Sequence, residues 1–308
     1  MKISFVLEAA CLMTLLACGP GRPTPTPGDH GAVPKGTAVF ADRLATADEF
    51  TLSMSGVSAP PGGHSYQGWL VGSDGRSYLS LGPLQPGPDG SLSFRWDSPT
   101  SENLLGHYVG FQATVETGAA GPEPKGPVAF AGSLQASGRS LFGPGASSPS
   151  PASIGMKQQT ELAVEHGGMA IAAQQIKAWD EMKAHLEHVI NILEGQKGKR
   201  FGDYLGTGVP QNPGDGYGAQ SYEKDVLQFL GKYTTETSGL NTLDESFRTD
   251  MNKVEETCLA ALGLKDETRA PALMQNLKLQ LQALQDGPVA DLYRAAQKEL
   301  SITVGPRS

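Results

Sequence analysis

Two histidines three residues apart, His185 and His188, sit in a helical stretch, and a loop rich in Gly, Asn and Asp follows them. Residues 185–218, HLEHVINILEGQKGKRFGDYLGTGVPQNPGDGYG, therefore carry the densest chemistry in the chain. Side chains at i and i+3 share one helix face, so both imidazoles can reach a common ion or partner. His166 lies on the preceding helical segment and joins them if the two helices pair antiparallel. Three imidazoles suit a transition metal. Nothing in the spacing fixes that third ligand, however, and paired histidines on an amphipathic helix commonly hydrogen-bond a neighbouring helix. The first expectation is such bonding, with no resident cofactor; a metal ion at His166, His185 and His188 is the alternative. No H-E-x-x-H motif supplies a base for catalytic zinc, and the lack of C-x-x-C-H excludes covalent c-type haem.

The loop offers a different chemistry. Asp203, Asn212 and Asp215 provide oxygens, and the six glycines between 201 and 218 permit turns that bring carbonyls inward. Hard cations such as Ca²⁺ take oxygen ligands of this kind. The competing reading is a series of turns, with residues 212–216, NPGDG, making two in succession.

The elements that position these residues read as two modules. Residues 37–134 alternate apolar and polar side chains, with short strands expected at 37–41, 49–55, 66–71, 78–81, 92–96, 108–116 and 128–132. Pro-Pro-Gly-Gly at 60–63, Ser-Asp-Gly at 73–75 and Pro-Asp-Gly at 88–90 punctuate them. Seven such strands predict an antiparallel β-sandwich. Tyr66, Trp69, Trp96, Tyr108 and Phe111 fill its core in the plainer reading and form a ligand platform in the other. His64 and His107 read as surface residues. Residues 135–156 form a Ser/Gly/Pro-rich linker, in which Leu141 and Phe142 are placed to dock on a neighbouring module. Residues 157–302 follow helical periods over 158–175, 178–194, 222–233, 243–262, 267–285 and 288–300. They predict an α-helical bundle around the Gly-rich loop 195–219. The fold class expected is thus α+β and multidomain, a sandwich followed by a bundle.

Before the folded part stand residues 1–18, MKISFVLEAACLMTLLAC, an apolar run of signal-peptide length ending in small residues and Cys18. Leu15-Leu16-Ala17-Cys18 resembles the bacterial lipobox, which implies lipidation of Cys18 and removal of the residues before it. An ordinary signal peptide is the alternative. Residues 19–36 are Pro-, Gly- and Thr-rich with little to bury, so they read as a tether. Cys258 is then the one thiol of the exported body, expected to be buried in a helix. The chain has 308 residues and a net charge of −8, which argues against a nucleic-acid footprint. Its short basic cluster, Lys197, Lys199 and Arg200, reads as a solvated helix exit.

Two further resemblances bear on function. Tyr66-Gln-Gly-Trp-Leu-Val, Leu81-Gly-Pro-Leu, Pro88-Asp-Gly-Ser-Leu, Phe111-Gln-Ala-Thr-Val-Glu and Pro124-Lys-Gly-Pro-Val resemble the extracytoplasmic domain of anti-sigma-K-type factors. Those factors place a sigma-binding segment and a membrane helix ahead of that domain, and neither is read here. The resemblance therefore implies an exported sensory or protein-contacting module and not direct sigma-factor sequestration. His185, His188, Val189, Ile190, Asn191, Ile192, Gly202, Asp203 and residues 212–218 resemble a helical module of exported bacterial proteins. There Leu205 and Thr207 would be acidic, which leaves this loop fewer carboxylates. In that arrangement Asn191 and the His pair are expected to hydrogen-bond the loop onto its helix. The function expected is a membrane-anchored extracytoplasmic lipoprotein of the cell envelope that binds or senses an envelope protein or ligand without catalysis. A metal-binding helical protein with a redox or hydrolytic role is the alternative.

Overall fold

Strand-forming alternation is realised from the first described segment. The computed structural model describes residues 33–118, 121–143, 148–233 and 237–307. The signal segment, Cys18 and the tether up to residue 32 lie outside the described residues. Eight strands follow in order: β1 (Lys35–Ala41), β2 (Glu49–Ser55), β3 (His64–Gly72), β4 (Tyr78–Leu84), β5 (Leu92–Asp97), β6 (Tyr108–Thr117), β7 (Val128–Ser133) and β8 (Ser301–Pro306). In β2 the period of two is plain, with Phe50, Leu52 and Met54 buried and their neighbours less so.

The strands do not make a sandwich. They form one antiparallel sheet in the order β4-β3-β6-β7-β8-β1-β2-β5, and its end strands β4 and β5 approach each other, leaving a nearly closed barrel. The reason is β8, for which the sequence reading had no strand. It pairs with β1 through Ala38 opposite Ile302 and with β7 through Ala131 opposite Gly305. This joins β4-β3-β6-β7 to β1-β2-β5, two sets that would otherwise have been free to stack face to face. Ile302 and Val304 point into the core while Ser301 and Thr303 are exposed, so burial of two aliphatic side chains holds the strand in register.

Aromatic side chains fill the barrel. Phe40 meets Phe50 edge-on and Phe50 stacks on Phe111, each at 5.4 Å between centroids, and Tyr66 packs on Phe130. Trp96 and Tyr108 are partly buried against this cluster. Trp69 is fully buried as well. Its indole N–H donates to Thr114 (2.9 Å), whose hydroxyl donates to Glu116 (2.6 Å), and that carboxylate accepts the backbone N–H groups of Lys125 and Gly126. His64 and His107 are exposed.

The linker contributes a helix, α1 (Ala136–Phe142), because Leu141 and Phe142 become fully buried there. Then come α2 (Ala152–Gln175), α3 (Trp179–Glu194), α4 (Ala219–Tyr233), α5 (Thr237–Leu262), α6 (Ala270–Leu284) and α7 (Ala290–Gln297). α2 is central, packed against α3, α4 and α6. It runs unbroken through Gly167-Gly168, and Gly167 faces the side-chain tip of Leu281 on α6, which would have to shift to admit a Cβ. Cys258 of α5 is fully buried, and burial pushes its thiol up, away from thiolate reactivity. Tyr293 of α7 ties the helices to the barrel by donating to Asp42 just after β1 (2.7 Å), while Ser137 of α1 donates to Glu299 in the turn before β8 (2.6 Å) and Phe142 of α1 meets Tyr293 edge-on.

Candidate metal centre

The turn between α2 and α3 brings the histidines together. α2 ends at Gln175, Lys177 takes a left-handed φ of 61°, and α3 starts at Trp179. Such a tight connection returns the chain antiparallel to itself. His166 stands eleven residues before Lys177 and His188 eleven after it, so they meet at one level of the hairpin, with His185 a turn away.

The contacts are direct. His166 Nδ1 lies 3.0 Å from His185 Nδ1 and 3.3 Å from His188 Nδ1. All three ligand atoms fall within 4.8 Å of one another, and no other His, Cys, Asp or Glu group among the described residues converges in this way. His166 is 9% exposed and the other two are half-buried. An imidazole nitrogen carries one in-plane hydrogen or one in-plane lone pair, never both. His166 Nδ1 therefore cannot make two well-aligned bonds to its two neighbours. A cation accepting all three lone pairs resolves the conflict. A tetrahedral ion bound at about 2.0–2.1 Å sets its ligand nitrogens about 3.3 Å apart; His166 Nδ1 meets its two neighbours at 3.0 and 3.3 Å, and all three ligand atoms lie within 4.8 Å. Burial, reinforced by the neighbouring rings, lowers His188 to about 4 and also lowers His166. Both are neutral near pH 7, the form that ligates metals.

The Gly-rich loop is held by the adjacent stripe of α3. Glu187, fully buried, accepts the backbone N–H groups of Tyr204 (2.8 Å), Leu205 (3.0 Å) and Gln211 (2.7 Å). Asn191, one turn on and equally buried, donates to the carbonyls of Gly202 and Gln211 and accepts from the Gly202 N–H, each at 2.9 Å. Asn191 thus fastens the loop as the sequence reading expected, whereas the His pair turns to His166 instead. Sequence reading assigns Glu187 no role, because its partners are backbone groups of an irregular loop. Where the helix yields to the loop, Gly195 has φ 66° and ψ 169°, and any side chain there would collide with the Tyr217 carbonyl.

The oxygens proposed for calcium bond locally. Asp203 accepts the N–H groups of Thr207 and Gly208, which outweigh burial and lower its carboxyl. Asn212 accepts from Gly214 N–H. Asp215 accepts from Tyr217 N–H through one oxygen and from the Tyr222 hydroxyl through the other. Asp203 and Asn212 thus close their own turns, and Asp215 also reaches α4.

No family model, curated protein or solved structure matches this chain. The likenesses of residues 66–128 and 185–218 to known modules receive no family assignment from these comparisons, so function is argued from the trihistidine geometry.

Proposed function

We propose that this chain is an exported, lipid-anchored binding or sensing protein whose bound species is a transition-metal ion held by His166, His185 and His188. The observation that carries the reading is the convergence of three imidazoles on the helical hairpin, with His166 Nδ1 3.0 and 3.3 Å from the other two. Neutral imidazoles favour zinc, copper or nickel over calcium or magnesium. Three protein ligands leave a fourth position for water or for a donor atom from a partner, which suits reversible sensing. Export and anchoring are supported by the apolar segment ending in Leu15-Leu16-Ala17-Cys18 and the Pro-rich tether after it.

The test is direct titration of the purified protein with Co²⁺ and Zn²⁺, read by absorbance and by elemental analysis. One ion per chain is expected, with the intense visible bands of tetrahedral Co²⁺. His166→Ala and His188→Ala should each weaken binding at least tenfold. Absence of stoichiometric binding, or binding indifferent to these changes, overturns the metal assignment. Membrane fractionation tests the anchor: Cys18→Ser should release the protein from membranes, and retention of that variant rejects lipidation.

A further inference from the structure

Lys197, Lys199 and Arg200 are not a solitary basic run in the folded chain. Lys224 of α4 and Arg248 of α5 face the same cleft, whose volume is about 480 Å³. Five cationic side chains from the loop and two helices thus line one concavity in a protein of net charge −8. The volume falls within the roughly 300–1,000 Å³ usual for small-molecule sites. Its lining does not resemble the usual apolar one. Apart from Met251 the side chains are polar or charged, with Gln220 and Asn252 adding neutral donors.

The local countercharges leave this surplus largely intact. Arg248 pairs with Asp244 (2.6 Å), and Arg200 reaches Glu255 (2.8 Å) and Glu256 (3.8 Å). Lys224 donates to the neutral Gln220 oxygen at 3.1 Å and forms no ion pair among the described residues. Lys197 and Lys199 have no carboxylate partner among the described residues. Behind the cleft Glu255 and Glu223 are fully buried. Burial first, then Glu194 beside Glu255 and Asp244 beside Glu223, pushes each up to about 8, while Arg200 opposes the rise at Glu255. Glu194 is 4% exposed, lines the cleft and keeps one carboxyl oxygen without a hydrogen-bond partner.

We propose that this cleft binds a small phosphorylated anion. The arginines, whose planar forks suit carboxylates, already hold carboxyl groups of the protein. The cations left free are lysine ammoniums, compact charges that suit the oxygens of a tetrahedral phosphate. The phosphate comes either from a soluble metabolite or from a phospholipid headgroup, and the two sources separate experimentally.

The experiment uses the full chain with Cys18→Ser, to remove an acyl anchor, and His185→Ala with His188→Ala, so that phosphate cannot bind through a metal. Calorimetric titration with pyrophosphate in low salt should show one saturable site. Lys197→Ala combined with Lys199→Ala should weaken it at least tenfold, as should Lys224→Glu, while Lys253→Ala, whose ammonium pairs with Asp250, should leave it unchanged. In parallel, co-sedimentation is measured with phosphatidylcholine vesicles with and without phosphatidic acid. Pyrophosphate binding alone identifies a soluble ligand; sedimentation that requires phosphatidic acid and the same lysines identifies a headgroup. Saturation with neither probe overturns the proposal. So does binding that survives all the cleft substitutions, or that Lys253→Ala weakens equally, because diffuse charge would then account for it.

Discussion

Removing the Glu187 carboxylate should loosen the loop that follows the metal hairpin. Its two oxygens accept three backbone N–H groups, those of Tyr204, Leu205 and Gln211, at 2.7–3.0 Å from a fully buried position. A buried donor left without an acceptor costs about 1–3 kcal/mol, so three would cost roughly 3–9 kcal/mol if simply added. The tip of the loop, residues 206–209, is exposed, which lets the freed backbone turn toward water and selects the low end. Glu187→Ala should therefore destabilise by about 3 kcal/mol. That corresponds to roughly 5 °C in melting temperature, taking about 2.1 cal/mol/K of unfolding entropy per residue for a chain of this size. Glu187→Gln keeps one acceptor oxygen for Tyr204 and Leu205 but presents its NH₂ to the Gln211 N–H, a donor facing a donor, and should cost about 1.5–2 kcal/mol. Urea unfolding measures the totals. Native-state hydrogen exchange at Tyr204, Leu205 and Gln211 locates them. If Glu187→Ala unfolds with the parent and those three amides stay protected, the clamp is not what holds the loop.

Two further outcomes follow from the fold. Ile302→Ala in β8 should cost about 2–5 kcal/mol as a cavity in the seam of the barrel, while Thr303→Ala beside it stays within about 0.5 kcal/mol; equal effects in urea unfolding would contradict the register. Glu223 and Glu255 are raised from the ordinary 4.5 to about 8, so between those values the folded protein holds protons that the unfolded chain has released. Stability should therefore fall as pH rises through that window, by at most about 1.4 kcal/mol per pH unit for each group. Glu223→Gln and Glu255→Gln should flatten the dependence of the urea midpoint between pH 5 and 8; a slope unchanged in both would show that the two carboxyls do not titrate as argued.

Much of this architecture could be read locally. The seven strands from β1 to β7 alternate strongly enough to be placed, and the apolar stripe of α3 fixes which of its faces turns inward. β8 could not be read, because Ser301-Ile-Thr-Val is a brief alternation directly after a helix and its partner β1 lies more than 250 residues earlier. Without it the seven strands suggested two stacked sheets. α1 was hidden by Ser and Gly, which make a linker in isolation and a helix once Leu141 and Phe142 are covered. His166 could be suspected of joining His185 and His188 because a short turn predicts antiparallel helices. The roles of Glu187 and of the five-cation cleft could not. Glu187 serves backbone groups of an irregular loop, and the cleft collects residues that only tertiary packing makes neighbours.

The place of β8 also sets the order in which the protein can be completed. A polypeptide delivered amino end first presents β1 and β7 long before residues 301–306 arrive to lie between them. Until then each of those strands keeps a raw edge of unpaired amides and carbonyls, the kind of surface on which chains stick to one another. The last six-residue strand acts as the closing stitch, and a polypeptide cut short anywhere in the helical half would keep both seams open.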